Sequence, residues 1–446
     1  MSFFFSLLTS TQLLLSSLGE VAQQQQLAQQ TVKPLPGELN QIPVFNSNSP
    51  ELIESEGILL STFPGRKKTF PNAHLNFPLT GRFDIFAHHV AKPPTPGDLR
   101  TLYLGILLHN PSLETVTVDI LSGASYLSQP DAPFIDLPSV LANPDGNVYA
   151  GPGSRVMNEL LRDRHQEIFP QQLTIPPQSS RLILNHPIPV RPFDPPLNGR
   201  STYIRLKSNG TIYAASLAKY APKTATGKER APYLSEWKAI LQNENLVTPR
   251  DQAPTPPQQQ QGIIYGRVAG VSGGNEWETT IPVNLPSPGK AIAYGISTLT
   301  GGRLGTDQVQ TAPMLVRYPD TAYQAHGNYG VEYDLTFQLQ NRSNEAREVS
   351  LSFATPVKQD QLNPDLQFLD PPTDQVFFRG TVKISDQDEE GNSKTRYFHL
   401  VQNRGEKGEP LVKLTVPPQS ERQVKVQFLY PPDATPPQVL MIRTQN

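Results

Sequence analysis

The sequence predicts an all-β fold: two immunoglobulin-like β-sandwich domains produced by an internal duplication. Three observations predict it. Leu173-Thr174-Ile175-Pro176-Pro177-Gln178-Ser179 and Leu414-Thr415-Val416-Pro417-Pro418-Gln419-Ser420 are nearly the same peptide. Around each copy lie short strands with apolar residues at every second position, in the same order. Proline accounts for 46 of 446 residues, roughly twice the usual ~5%. It breaks helix interiors and central strands, which excludes a long-helix architecture.

The strands of the two copies follow one another in parallel order. Leu102, Leu104, Ile106, Leu108 and Asn110 align with Tyr333, Leu335, Phe337, Leu339 and Asn341. In the second copy Asp334, Thr336, Gln338 and Gln340 fill the gaps, so one face is apolar and the other wet. Each strand ends at Asn, with Ser112 or Ser343 two positions on, which is turn chemistry. Val116, Val118 and Ile120 then align with Val349, Leu351 and Phe353. The paired prolines cannot donate to a ladder and belong at strand ends or edges. Arg181 and Ile183 match Arg422 and Val424; Ile204, Leu206 and Lys207 match Leu440, Ile442 and Arg443. A sheet with one apolar face has to bury it, and a second sheet is the simplest cover.

The domain organisation follows from composition. Residues 1–30 read as a signal peptide and low-complexity spacer: an apolar run from Phe3 to Leu18, no Lys or Arg, and the glutamine tract from Gln23 to Gln30. Residues 34–232 form the first sandwich with insertions, its opening strands at Gly57 to Phe63 and Gly81 to Val90. Val156, Leu160 and Leu161 at helical spacing place a short helix in Ser154 to Gln166. Residues 233–261 hold a second short helix, with Leu234, Trp237, Ile240 and Leu241 on one side, and a Pro/Gln-rich linker. Residues 262–446 are the second sandwich. The N-terminal apolar run is too short and polar for a stable span, so no integral membrane segment is expected in the mature chain.

Composition also excludes. There is no cysteine, hence no disulfide, thiol nucleophile or cysteine-held metal. The net charge of −2 gives no field to attract nucleic acid. His88 and His89 are adjacent on a strand and point to opposite faces; Asp84 shares a face with His88 but lies too far along it for joint ligation. His74, His109 and His326 could form a metal site only by folding together; no metal or cofactor is assigned. Asp386-Gln387-Asp388-Glu389-Glu390-Gly391 copies half a calcium loop, but Tyr397 stands where the bidentate Glu belongs. Ser216-Leu217-Ala218-Lys219 has penicillin-binding spacing, but follows a strand and has no partner motifs.

One stretch invites a binding role. Arg317 to Gly330 carries Arg317, Tyr318, Asp320, Tyr323, His326, Asn328 and Tyr329 on a loop before the strongest strand. Tyrosine, with a flat apolar face and a polar tip, suits recognition of sugar or peptide, and equally suits a structural corner.

Val44 to Pro50, Gly81 to His89, Tyr265 to Val271, Gly302 to Thr306 and Arg317 to Tyr333 resemble a secreted cyanobacterial family known as a domain of unknown function, thirty-three seventy. The resemblance runs from about Leu35 to the C-terminus. It implies a periplasmic or envelope location and carries over no activity. The sequence therefore predicts a non-enzymatic, exported binding or scaffolding protein of the cell envelope, its partner an envelope protein or glycan. The alternatives are an envelope hydrolase or carbohydrate-active enzyme using Asp320, His326 and Glu332, and a small-ligand or metal carrier using the histidines.

Overall fold

The computed structural model describes residues 23–25, 30–259, 262–362, 365–387 and 391–446. Most of the expected signal peptide and the centre of the calcium-like run, 388–390, lie outside the described residues. The protein is 47% strand and 5% helix, so the all-β expectation holds. Each of the three large sheets nevertheless mixes parallel with antiparallel pairs, unlike the antiparallel sheets of an immunoglobulin domain.

The first half runs β1 (Gln30–Lys33), β2 (Pro43–Ser47), β3 (Gly57–Ser61), β4 (Leu79–Ala91), β5 (Leu102–His109), β6 (Val116–Leu127) and β7 (Val140–Ala142). Helix α1 (Pro152–Leu161), β8 (Gln172–Ile175), β9 (Ser180–Ile188), β10 (Asn198–Tyr220) and α2 (Leu234–Asn243) follow. β10 organises this half. Its start lies between β4 and β6; past a register break at Ser208/Ile212 its end lies between β3 and β5. One strand thus serves both layers, which close on Phe83, Ile85, Leu104, Ile106, Val118, Ile120, Ile204 and Leu206.

Both helices form where the apolar spacing places them. Pro152 occupies the first turn of α1, where its missing N–H costs nothing. α1 stops at Leu161, short of the expected Gln166, and Asp163 beyond it adopts φ +53°. Val156, Met157, Leu160 and Leu161 pack against Phe86, Tyr203 and Leu429. In α2, Trp237, Ile240 and Leu241 cover Leu107 and Leu217.

The second half comprises β11 (Ala269–Gly273), β12 (Glu276–Asn284), β13 (Ala291–Ile296), β14 (Ala312–Arg317), β15 (Glu332–Asn341) and β16 (Arg347–Ala354). β17 (Val376–Gln387), β18 (Ser393–Asn403), β19 (Pro410–Val416), β20 (Ser420–Leu429) and β21 (Gln438–Thr444) follow, with two short strands, Gln324–Ala325 and Phe368–Asp370, between the main ones. A six-stranded sheet, β12-β15-β20-β17-β18-β7, and a five-stranded sheet, β1-β13-β21-β16-β19, share one core. Tyr333, Leu335, Phe337, Val424 and Phe428 enter it from one sheet; Val349, Leu351, Phe353, Leu440 and Ile442 enter from the other.

The halves exchange strands across the boundary expected at residue 262. β1 pairs in parallel with β13, β7 joins β18, and β11 pairs with β2 while carrying β14. The chain between Thr248 and Gln259 has no regular structure, yet it is tied down. Ser55 Oγ donates to Thr248 O (2.9 Å), and Arg250 and Asp251 reach Asp320 and Ser49. Among the described residues no helix is long and apolar enough to cross a membrane.

The matched residues occupy matched bonds. Arg181 faces Leu108 as Arg422 faces Leu339, and Ile120 faces Leu206 as Leu351 faces Ile442. Ile175 faces Val116 where Val416 faces Arg347. The alignment of Val116 with Val349 is therefore two residues out, a slip that keeps the same face. Asn110 Nδ2 donates to Glu114 O, Ile175 O and Pro176 O; Asn341 Nδ2 donates to Glu345 O, Val416 O and Pro417 O. Both Asn Oδ1 atoms accept the following serine's N–H and O–H. Gln178 (φ +50°) and Gln419 (φ +51°) close the two proline turns alike.

Asn110→Ala and Asn341→Ala are each expected to destabilise the protein by roughly 1–3 kcal/mol, because carbonyls covered by the amide lose their donor. Urea denaturation of the two variants checks this. A loss at one site and none at the other would contradict their equivalent roles.

Candidate functional site

Charged side chains converge where the two halves meet. Glu51 directly follows β2's loop, His88 and His89 lie on β4, and Arg267 precedes β11. Tyr329 and Asp433 come from the segments before β15 and after β20. Four of the five family-like stretches reach this place or end beside it.

The Arg267 guanidinium pairs closely with the Glu51 carboxylate and stands 3.9 Å from Asp251. Ser49 Oγ donates to Asp251 Oδ2 at 2.7 Å. His88 Nε2 is 3.7 Å from Glu51 Oε1, and its Nδ1 is 2.7 Å from Ser201 Oγ. Glu51 and His88 are each 8% exposed, so water barely reaches the pair. Burial works to raise the Glu51 carboxyl; Arg267 and then His88 outweigh it and hold the group below its usual range. Asp433 Oδ2 accepts the N–H of Ser154 in the first turn of α1 at 3.2 Å. Burial raises its carboxyl, against the pull of His88 and Arg379. Two carboxyls pushed in opposite directions are what general acid–base sites use. Here, however, Glu51 is neutralised by arginine and Asp433 caps a helix, which are holding roles.

His89 is fully buried. Its Nδ1 donates to Pro50 O (2.8 Å), so Nε2 accepts from Ser47 Oγ (2.9 Å). Burial lowers its pKa to about 3. Deeper in the junction, Asp84 has no exposure. It pairs with Arg82 and accepts from Tyr203 Oη (2.9 Å) and Asn275 Nδ2 (2.6 Å). Arg205 and Glu332 pair beside it at 2.7 Å.

The seven residues of the tyrosine-rich stretch do not form one surface. Tyr318 is internal; its hydroxyl donates to Ala73 O (2.8 Å) and accepts from Ser61 N (3.0 Å). Asn328, at φ +48°, accepts from Ala312 N and donates to Gln310 O. Arg317 lies 3.8 Å over the Tyr323 ring and donates to Tyr318 O and Thr321 O. Asp320 is held by Arg250 Nε at 2.7 Å. The His326 ring packs tilted against Tyr265 (centroids 4.8 Å apart), which Lys358 covers from 4.2 Å. Burial, then Lys358, lowers His326 to about 4. Tyr329 donates to Ala434 O.

The proposed histidine convergence does not occur either. His74 bonds Ser61 (2.8 Å) and His109 bonds Ser180 (3.0 Å). Among the described residues no three His, Asp or Glu side chains come together as metal ligands do. The sequence reading missed Glu51, Arg267 and Asp433. The available signal was slight: Arg267 lies within one family-like stretch and Glu51 directly follows another, with nothing to say that the two pair.

The fold and junction define a class: a two-core β protein whose halves are locked by strand exchange and buried ion pairs. Within that class the chain belongs to the family DUF3370, described as proteins of unknown function, whose model matches residues 30–444. No curated protein matches it. Among solved structures it is similar to Lac15 from a marine microbial metagenome (9% identity, 93% of this chain and 65% of that one, TM-score 0.13). It is also similar to Fet3p, a multicopper oxidase that functions in iron import (8%, 78% and 51%, TM-score 0.11), and to procruciferin, an 11S globulin from Brassica napus (12%, 92% and 85%, TM-score 0.11). The chain thus spans less than two thirds of the length of the first two, and at these TM-scores the likenesses carry no argument.

Arg267→Ala leaves the nearly buried Glu51 carboxylate with only His88, 3.7 Å away, beside it, and is expected to cost about 3 kcal/mol, measured by urea denaturation. His89, His74 and His399 are buried, with pKa lowered by burial from 6.5 to about 3, 4 and 4. Below pH 6.5 the unfolded chain therefore binds protons that the folded one refuses. Stability should fall as pH drops from 6.5 towards 4, by up to roughly 1.4 kcal/mol per pH unit for each group. Glu51 adds to that loss below its ordinary 4.5, while Asp433, shifted upwards, opposes it. A urea midpoint equal at pH 7 and pH 5 would contradict the reading.

Proposed function

We propose that this is a non-enzymatic binding or scaffolding protein exported to the cell envelope. Its two immunoglobulin-like sandwich units, 34–232 and 262–446, are copies of one ancestral block that exchange edge segments. The duplication is supported by the matching strand registers and by the Asn110 and Asn341 bonding sets. The exported location rests on the apolar start at residues 1–30 and on the secreted family the sequence resembles.

One observation carries the binding reading. The acids that a hydrolase would need are already engaged by different arginines, Asp320 by Arg250 and Glu332 by Arg205, and the His326 ring packs against Tyr265. The junction charges likewise hold the halves together. That leaves a rigid body whose outer surfaces are the part available to a partner.

The test is retention. Purified protein is incubated with washed envelope fractions and with isolated peptidoglycan, then pelleted. Saturable co-sedimentation without release of soluble fragments is the expected result. Fragment release abolished by Asp320→Asn or Glu332→Gln would favour the hydrolase instead.

A further inference from the structure

Two surface clefts differ in how their charges are arranged. The first, about 350 Å³, is lined by Glu56, Arg100, Lys219, Tyr220 and Glu236. Most of its charges are paired, Lys219 with Glu56 (3.3 Å), Arg100 with Asp98 (2.6 Å) and Glu236 with Arg230 (2.7 Å), while Lys223 on its lining has no carboxylate within ion-pair distance among the described residues.

The second, about 550 Å³, lies over the outer face of the five-stranded sheet. Val349, Leu351, Leu440 and Ile442 point inward from β16 and β21. The alternate residues Ser350, Ser352, Met441 and Arg443 therefore form the cleft's floor. The turn carrying Glu406, Lys407 and Glu409 and the segment from Leu369 to Pro372 form its walls.

Its acids and bases are used unequally. Glu406 Oε2 accepts from Asn403 N at 2.7 Å, and Asp370 is also engaged. Arg443 Nη1 reaches Gly289 O only at 3.4 Å, and its Nη2 has no hydrogen-bond partner. Among the described residues neither Arg443 nor Lys407 has a carboxylate within ion-pair distance. Burial, and then Arg443, lowers the pKa of Lys407, while Glu409 on the rim pulls the other way. Two like charges sharing a concave, hydroxyl-lined surface repel each other until an anion joins them.

We infer that the cleft floored by Arg443, Ser350 and Ser352 and walled by Lys407 binds an oxyanion group, carboxylate or phosphate, on a ligand about the size of an acidic sugar. This rests on the binding reading above and supplies its ligand chemistry. The guanidinium and ammonium would hold the oxyanion, and the serine hydroxyls would take neighbouring polar groups. Glu409 at the rim excludes a second anionic group, which favours a single acidic unit over a polyanion.

The full chain is titrated by calorimetry with inorganic phosphate and, separately, with D-glucuronate, at matched ionic strength, with glucose as neutral control. Saturable binding of at least one anion is expected, weakened about ten-fold or more in Lys407→Gln and in Arg443→Gln. It should be unchanged in Lys219→Gln, which alters the other cleft. Glucuronate alone identifies a carboxylate source, phosphate alone a phosphate source. No saturation with either, or equal affinity in Lys407→Gln, overturns the assignment. Lys407 sits on an exposed turn, so its variant decides even where Arg443→Gln does not fold. Envelope retention undiminished in Lys407→Gln also overturns this cleft's role while the binding reading stands. Anion binding without envelope retention supports the cleft and overturns the envelope reading.

Discussion

A carboxylate shut away from water sits between the halves, and the rest of the architecture has to accommodate it. Asp84 lies in the middle of β4, paired with Arg82 and bonded by Tyr203 from β10 and by Asn275 from the segment opening β12. An ionised group in such a place is tolerated only when its lone pairs are satisfied. Two of those three partners come from the first half and one from the second, so the halves have one satisfactory relative position. Gly330 is held to the same geometry: a Cβ there, at φ +84°, would lie 1.9 Å from the Tyr203 ring. Glycine is what allows the β15 segment to approach the ring that holds Asp84.

Strand exchange makes that position hard to leave. β1 lies in the second half's sheet, and the chain then returns to lay β2 beside β4. β2 against β4 and β1 against β13 are both parallel pairs on the flank of a long antiparallel ladder. β1 thus forms one edge of the second half's sheet, β2 is enclosed between β4 and β11, and β7 and β11 cross in opposite senses. Edge strands invite unwanted pairing. Covering them with segments of the other half removes that hazard and ties the two cores together.

Much of the fold was legible because period two survives in sequence. The faces of β5 and β15, the turn at each Asn-x-Ser and the shared Pro-Pro-Gln-Ser element all stand where the pattern puts them. The same periodicity hid an error: aligning Val116 with Val349 instead of Arg347 moves a strand by two and leaves its face unchanged. Parallel pairs left no local trace, since their partners are separated by long crossovers. The junction was illegible for a related reason. Nothing near Glu51 announces Arg267, and a tyrosine-rich run reads the same whether its rings face solvent or, like Tyr318, find a carbonyl such as Ala73 O inside.

The pattern of pairing also bears on where a partner meets the protein. Buried ion pairs seldom add much net stability, because desolvation offsets their attraction; what they add is a preference for one arrangement over its alternatives. Glu51–Arg267, Arg205–Glu332 and the Asp84 cluster lie along the seam, where an apolar contact would permit sliding. A partner binding across such a seam does not have to immobilise the halves first, so less of its contact energy is lost to ordering. The tyrosine-rich stretch matters to function in this sense: Tyr318 and Asn328 fix β14 and β15 from within, and thereby the surfaces those strands present.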